Sequence, residues 1–238
     1  MPSVHIQPVP HELGVNLEFW RLDLDGYAAS VSLDGLSVHE HERAARMVFT
    51  RDSRRYLACR HALRRVLADA LDCSIQSIVI EVDEMGKPRL GGGGGPQFNV
   101  THSAHVGLIA LSRFAPIGVD IEVVRSIVDA DMLARTHFTD DEFAEWSRAS
   151  EPLRDQAFLG CWTRKEACLK MLGVGLSAPL TTVNAGCNPH VHYAAMSIGE
   201  HRCILNVYPL EISSGTVAAV ALAGHEAVTL ARHFYQKL

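Results

Sequence analysis

Trp162-Thr163-Arg164-Lys165-Glu166-Ala167-Cys168-Leu169-Lys170, read with the upstream stretch Gly118-Val119-Asp120-Ile121-Glu122, decides how this chain folds and what chemistry it carries. The upstream stretch alternates apolar and acidic residues with the period of a strand, so Asp120 and Glu122 point to one face. The other stretch has helical spacing, which puts Glu166 and Lys170 on one helix face. Trp162 shares that face, so the face meets other structure rather than bulk water. Three acids converging on one point are how proteins hold a hard cation such as Mg2+ through oxygen ligands. A lysine beside them suits an anionic, phosphate-bearing substrate. These residues predict a Mg-dependent enzyme acting on a phosphate compound. Taken singly, the Asp-x-Glu pair also fits a solvated strand edge, and Glu166 with Lys170 an ordinary helix ion pair. The apolar run Pro116-Ile117-Gly118-Val119 favours the site, because charges ending such a segment need compensation. Without it, neighbouring carboxylates repel and take up protons.

Working outward, Thr139-Asp140-Asp141-Glu142 has capping-box spacing and predicts a helix through Trp146. A second long helix is predicted over 155–172, ended by Gly173-Val174-Gly175. Residues 106–111 and 116–124 read as strands, and 203–207 and 216–223 as strand-like, followed by a polar tail. Upstream, Glu18-Phe19-Trp20-Arg21-Leu22-Asp23-Leu24 alternates as a strand. A charged helix starts at Ser37 and reaches about 49. From 52 to 71 the pattern is helical, with Tyr56, Cys59, Leu63, Val66, Leu67 and Ala70 as its apolar stripe. A turn and a strand follow over 74–82. Gly86-Lys87-Pro88 marks a tight turn. Gly91 to Gly95, followed by Pro96, reads as a surface loop and the joint between halves. The expected architecture is α+β, a pseudo-twofold pair of similar subdomains, although no internal repeat is visible in the sequence. The expected division is an N-terminal half, 1–96, and a C-terminal half, 97–238, carrying the metal site.

The 238 residues, 47% apolar and 21% charged, are ample for a hydrophobic core. A net charge of −5 argues against nucleic acid as partner. No apolar run is long enough to span a membrane. Met1-Pro2-Ser3-Val4-His5 lacks the pattern of a secretory signal. Cys59, Cys73, Cys161, Cys168, Cys187 and Cys203 form no C-x-x-C pair, which suggests reduced thiols and a cytoplasmic location. Cys168 reads as buried filler, since no base accompanies it.

Thr101-His102-Ser103 offers hydroxyl, imidazole and backbone N–H groups in what reads as one turn, a phosphate cradle, or else a packed loop histidine. Lys87, taken alone, reads more plainly as a solvated lysine. Arginines crowd positions 43, 46, 51, 54, 55, 60, 64 and 65. Arg54 and Arg65 point away from the apolar stripe. Arg60 points close to it, which predicts a pairing with a buried acid or a bound anion. His225-Glu226 and His39-Glu40-His41-Glu42 lack the zincin spacing. The glycine run lacks the lysine and hydroxyl residue of a P-loop.

Four segments in order, Gly86-Lys87-Pro88, Phe98 to Ser103, Gly118 to Glu122, and Trp162 to Lys170 with Gly173-Val174-Gly175-Leu176, resemble the 4'-phosphopantetheinyl transferases of the larger Sfp type. The resemblance covers about residues 40–180, and its order is more specific than any single motif. It implies two similar α+β halves in one monomer, with coenzyme A bound between them. It implies that Asp120, Glu122 and Glu166 hold Mg2+ (or Mn2+) against the coenzyme A pyrophosphate. Glu166 would be the base, and Lys170 would contact the pyrophosphate. Thr101 and His102 would contact the phosphates of the adenosine end, with Lys87 and Arg43 helping, while Asn99 shapes the loop. Thr101 stands where the family more often has serine. The implied reaction moves the phosphopantetheine arm of coenzyme A to a serine of an apo acyl, peptidyl or aryl carrier protein, with Lys170 and His102 spreading negative charge. Such enzymes serve polyketide, nonribosomal peptide or fatty acid biosynthesis. The rival readings are a metal-dependent phosphohydrolase of coenzyme A or nucleotides, and a non-catalytic carrier-protein or nucleotide-binding module.

Overall fold

The computed structural model describes residues 5–14, 16–174, 178–198 and 201–223. Its organising features are two antiparallel sheets, each backed by one long helix. The first sheet has β1 (Ile6–Pro8), β2 (Leu17–Asp23), β5 (Gln97–Ser103) and β6 (Val106–Ser112), in the order β1-β2-β6-β5. The second has β7 (Ile117–Val123), β8 (Val183–Asn184), β9 (Tyr193–Ile198), β10 (His201–Pro209) and β11 (Thr216–Leu222), in the order β7-β11-β10-β9-β8. A small hairpin, β3 (Ile80–Val82) with β4 (Pro88–Leu90), stands apart from both. This is the expected α+β class.

The first sheet lays Leu22, Phe98, Ile109 and Leu111 against α3 (Thr50–Leu71). Cys59, Leu63, Val66 and Leu67 of the expected stripe are buried there. Its other face packs Phe19, Leu108 and Ala110 against Ile117, Val119, Ile121 and Val220 of the second sheet. β6 is therefore buried along its whole length, as a strand covered on both faces must be. The second sheet turns its remaining face, including Leu205, Val207, Ala219 and Ala221, to α6 (Arg154–Leu172). Gly173 ends α6 in the left-handed conformation at φ 77°, the usual helix stop. Gly175 and Leu176 of the same motif lie outside the described residues, as does His225-Glu226.

Two local signals act as the sequence suggests. Ser37 caps α2 (Val38–Ala45) and Thr139 caps α5 (Asp140–Ser147), each with both bonds of a capping box. Two short helices escape the periodicity: α1 (Leu24–Ser30), which starts where β2 stops, and α4 (Ala130–His137). The glycine run lies between β4 and β5, and β5 and β6 hydrogen-bond into the first sheet with β2. The chain thus passes from one sheet to the other at 113–116, rather than at the glycine loop. Among the described residues no helix is long and apolar enough to cross a membrane, and none of the six cysteines is joined in a disulfide.

Candidate functional site

The two sheets meet along the edges of β5 and β7, and the side chains of β5 do what a ladder would otherwise do. Asn99 Oδ1 accepts from Val119 N at 3.0 Å, and Ser103 Oγ accepts from Val123 N at 3.1 Å. Thr101 Oγ1 donates to Asp120 Oδ1 at 2.9 Å, and Ser103 Oγ to Glu122 Oε2 at 2.6 Å. Asn99, Thr101 and Ser103 alternate along an extended strand, so all three reach one way and His102 reaches the other. The expected turn over Thr101-His102-Ser103 is therefore a correction: these residues end strand β5. Asn99 is buried in this seam.

Opposite the seam runs α6. Asp120 and Glu122 share the β7 face that does not enter the inter-sheet core, whereas Val119 and Ile121 do enter it. Lys170 Nζ lies 2.5 Å from Asp120 Oδ1 and 3.1 Å from Thr101 Oγ1. Burial raises the pKa of Asp120, and Lys170 and the Thr101 hydroxyl oppose that rise. Burial raises Glu166 too, followed by the charge of Asp120, with Lys170 acting the other way and Glu122 adding to the rise. Glu122 pairs with Arg125 at 2.8 Å. The strand acids and the helix residues are thus one electrostatic group.

Among the described residues, however, no set of three or more His, Cys, Asp or Glu side chains stands close enough to hold a metal ion. The expected meeting of Asp120, Glu122 and Glu166 is electrostatic rather than a closed coordination shell. Lys170 contacts one acid, Asp120, and Ser103 and Arg125 contact another, Glu122. In donor chemistry the set still fits a hard cation, being all oxygen and anionic. Glu166 makes no hydrogen bond among the described residues, although it is half-buried.

Beside this group opens a cleft of about 710 Å³, a size suited to a small-molecule ligand. Thr101, His102 and Lys170 line it and connect it to Asp120. Asn99 also reaches its wall; the three carboxylates do not. His102 opens to the cleft, yet desolvation first and then the Lys170 and Arg55 cations hold its pKa below the usual imidazole range. The opposite wall is α2 and α3. Arg43 is exposed there, its guanidinium 5.5 Å from the Tyr56 ring centre, within cation–π range. Lys87 lines the cleft from the β3–β4 hairpin, but its ammonium donates to Met171 O at 2.7 Å and Ile117 O at 3.4 Å. Burial brings its pKa down to about 8.

Arg60 finds the buried acid that its place near the apolar stripe predicts. It is Glu40, held by Arg60 Nε at 2.7 Å and Arg64 Nη2 at 2.9 Å. Burial would raise the Glu40 pKa, but the Ser37 backbone N–H and both arginines outweigh it and bring it to about 2. For three important residues the sequence reading misses the tertiary partner. Ser103 is one. The others are Lys165 and Glu142, an ion pair with neither side chain exposed. Glu142 also accepts from Ala185 N and Gly186 N, and Lys165 donates to Val183 O, so the pair ties α5 and α6 to the start of the second sheet. The capping box marked Glu142, but nothing local marks its second role.

Comparisons with known proteins agree with this layout. A family model described as 4'-phosphopantetheinyl transferase, N-terminal, matches residues 20–113, and that of the 4'-phosphopantetheinyl transferase superfamily matches 116–211. The boundary between them falls where the chain passes between the sheets. The chain is 30% identical over 222 residues to the 4'-phosphopantetheinyl transferase HetI of Nostoc sp., covering 89% of this chain and 90% of that one. It is 37% identical over 150 residues to a putative 4'-phosphopantetheinyl transferase of Synechocystis sp., covering 62% of this chain and 61% of that protein. To the 4'-phosphopantetheinyl transferase Sfp of Bacillus subtilis it is 25% identical over 189 residues, 79% of this chain and 82% of the other.

Proposed function

Since this chain belongs to the 4'-phosphopantetheinyl transferases, we propose that it moves the 4'-phosphopantetheine arm of coenzyme A to a serine of an apo acyl, peptidyl or aryl carrier protein. The other product is adenosine 3',5'-bisphosphate. The observation that carries this reading is the contact of Lys170 and Thr101 with Asp120 at the edge of a cleft that both residues line.

The serine Oγ forms a bond to the phosphorus bearing the pantetheine arm. The bond from that phosphorus to the bridging pyrophosphate oxygen breaks, and the electron pair leaves with the adenosine bisphosphate. Such transfers need charge neutralisation and placement more than covalent help. Asp120, Glu122 and Glu166 would hold the magnesium ion. Bound there, it would neutralise pyrophosphate oxygens and favour departure of the leaving group. Lys170 adds a fixed positive charge on the same anion. His102, Arg43 and Lys87, which line the same cleft, would meet the nucleotide phosphates, and Lys87 must turn from the Met171 carbonyl to do so. Glu166 would receive the serine proton, directly or through water. Monomeric action and a cytoplasmic setting complete the reading.

The test mixes the protein with coenzyme A, Mg2+ and an apo carrier protein and weighs the carrier by mass spectrometry. A gain of one phosphopantetheine, absent when Mg2+ is withheld, is expected. Coenzyme A consumed without a change in the carrier would instead mark a phosphohydrolase.

A further inference from the structure

We infer that Ser103 is a positioning residue for Glu122, holding that carboxylate by one oxygen so that the other faces the site. The inference rests on the proposed role of Glu122 as a metal ligand. Ser103 is not part of the cleft wall, so it acts through Glu122 rather than on coenzyme A.

A serine hydroxyl has one proton to give and lone pairs to receive. Ser103 accepts Val123 N–H at 3.1 Å and gives its own proton to Glu122 Oε2 at 2.6 Å. The β7 backbone therefore fixes the hydroxyl, and the hydroxyl fixes the acid. Arg125 Nη1 reaches the same Oε2 at 2.8 Å. Two residues back on each strand the arrangement repeats. Thr101 Oγ1 and Lys170 Nζ both donate to Asp120 Oδ1. Among the described residues, every donor to these two acids falls on one oxygen of each, leaving Glu122 Oε1 and Asp120 Oδ2 without a donor. Oxygens tied by outer hydrogen bonds with their partners left open are what a coordinating carboxylate needs. Thr101 also lines the cleft and would meet the ligand itself; Ser103 has only the positioning role.

The experiment titrates Mn2+ into the full-length protein with coenzyme A present and reads free Mn2+ by electron paramagnetic resonance. Ser103→Ala should weaken Mn2+ binding about tenfold or more, as loss of an outer-shell partner does. Ser103→Thr, which keeps the hydroxyl, should bind within about twofold of the wild type on the same reasoning. Ser103→Cys, close in volume but only a weak donor, should follow the alanine variant, and it serves if alanine prevents folding. Ser103→Ala and Ser103→Cys titrating like the wild type, while Glu122→Gln binds weakly, would overturn the positioning role alone. Glu122→Gln titrating like the wild type would overturn Glu122 as a ligand, and a wild type that takes up no Mn2+ would overturn the metal reading; either removes the inference with it.

Discussion

Gly118 faces Ala167 so closely that a Cβ on the glycine would lie 2.1 Å from the Ala167 carbonyl oxygen, and 2.3 Å from the Met171 nitrogen. Both obstacles are backbone atoms and cannot rotate away. The glycine is therefore what lets β7 and α6 approach, and that approach puts Lys170 on Asp120. Gly118→Ala should force strand and helix apart. Overpacking costs about 1–3 kcal/mol, and a clash with backbone lies at the upper end or above. Urea unfolding should show that loss, together with loss of carrier modification in whatever protein remains folded. A midpoint equal to the wild type would show that the approach is not needed.

Glu40 gives a pH dependence whose sign is fixed. Its folded pKa is near 2 against an ordinary 4.5, so the unfolded chain binds the extra proton. The stabilisation is fully present above about pH 4.5 and is lost as pH falls toward 2. At about 1.4 kcal/mol per unit it amounts to the order of 3 kcal/mol. Glu40→Gln should abolish that part of the acid sensitivity. It should also lower stability at pH 7, because Arg60 and Arg64 lose their partner. Urea midpoints measured between pH 2.5 and 7 check this: parallel curves for variant and wild type would refute the arrangement.

Lys165 and Glu142 make a different case, because neither reaches solvent. Lys165→Met leaves a buried carboxylate uncompensated, which costs about 3–5 kcal/mol. Adding Glu142→Gln removes the charge while keeping groups that bond to Ala185 N and Gly186 N. The double variant should recover much of the loss in thermal melting. Additive losses would show that the two side chains are not coupled.

What the sequence reveals, and what it hides, follows from how local each signal is. β7 and α6 are legible because alternation and helical spacing are read within a few residues. The shared face of Asp120 and Glu122 follows from the strand period alone. Arg60 is legible because an arginine near an apolar stripe needs a partner, though nothing local names Glu40. α1 is hidden because Asp23 ends β2 and caps the helix through Gly26 N at 3.1 Å, with no loop between. The passage between sheets is hidden because five glycines make a stronger local break than the short link at 113–116. The pairings of Ser103 and Lys165 are hidden for a common reason: their partners are 19 and 23 positions away in the chain. Only the tertiary fold brings such pairs together.

The proposed site itself yields the sharpest kinetic expectation. Asp120→Ala and Glu166→Gln should each abolish carrier modification while the circular dichroism spectrum stays that of the wild type, since both remove a proposed metal ligand. Wild-type turnover in either folded variant would dismiss the site. Lys170→Ala differs in kind. It removes a cation from the proposed pyrophosphate position and leaves Asp120 buried without its nearest positive charge. Coenzyme A should then bind more weakly and the transfer slow as well, because a fixed positive charge acts on both the bound anion and its developing charge. A combined loss of about a hundredfold or more in kcat/KM is in keeping with removal of one preorganised electrostatic group. If KM alone rises and kcat holds, Lys170 contributes binding without favouring the transition state. Unchanged kinetics would remove Lys170 from the site altogether.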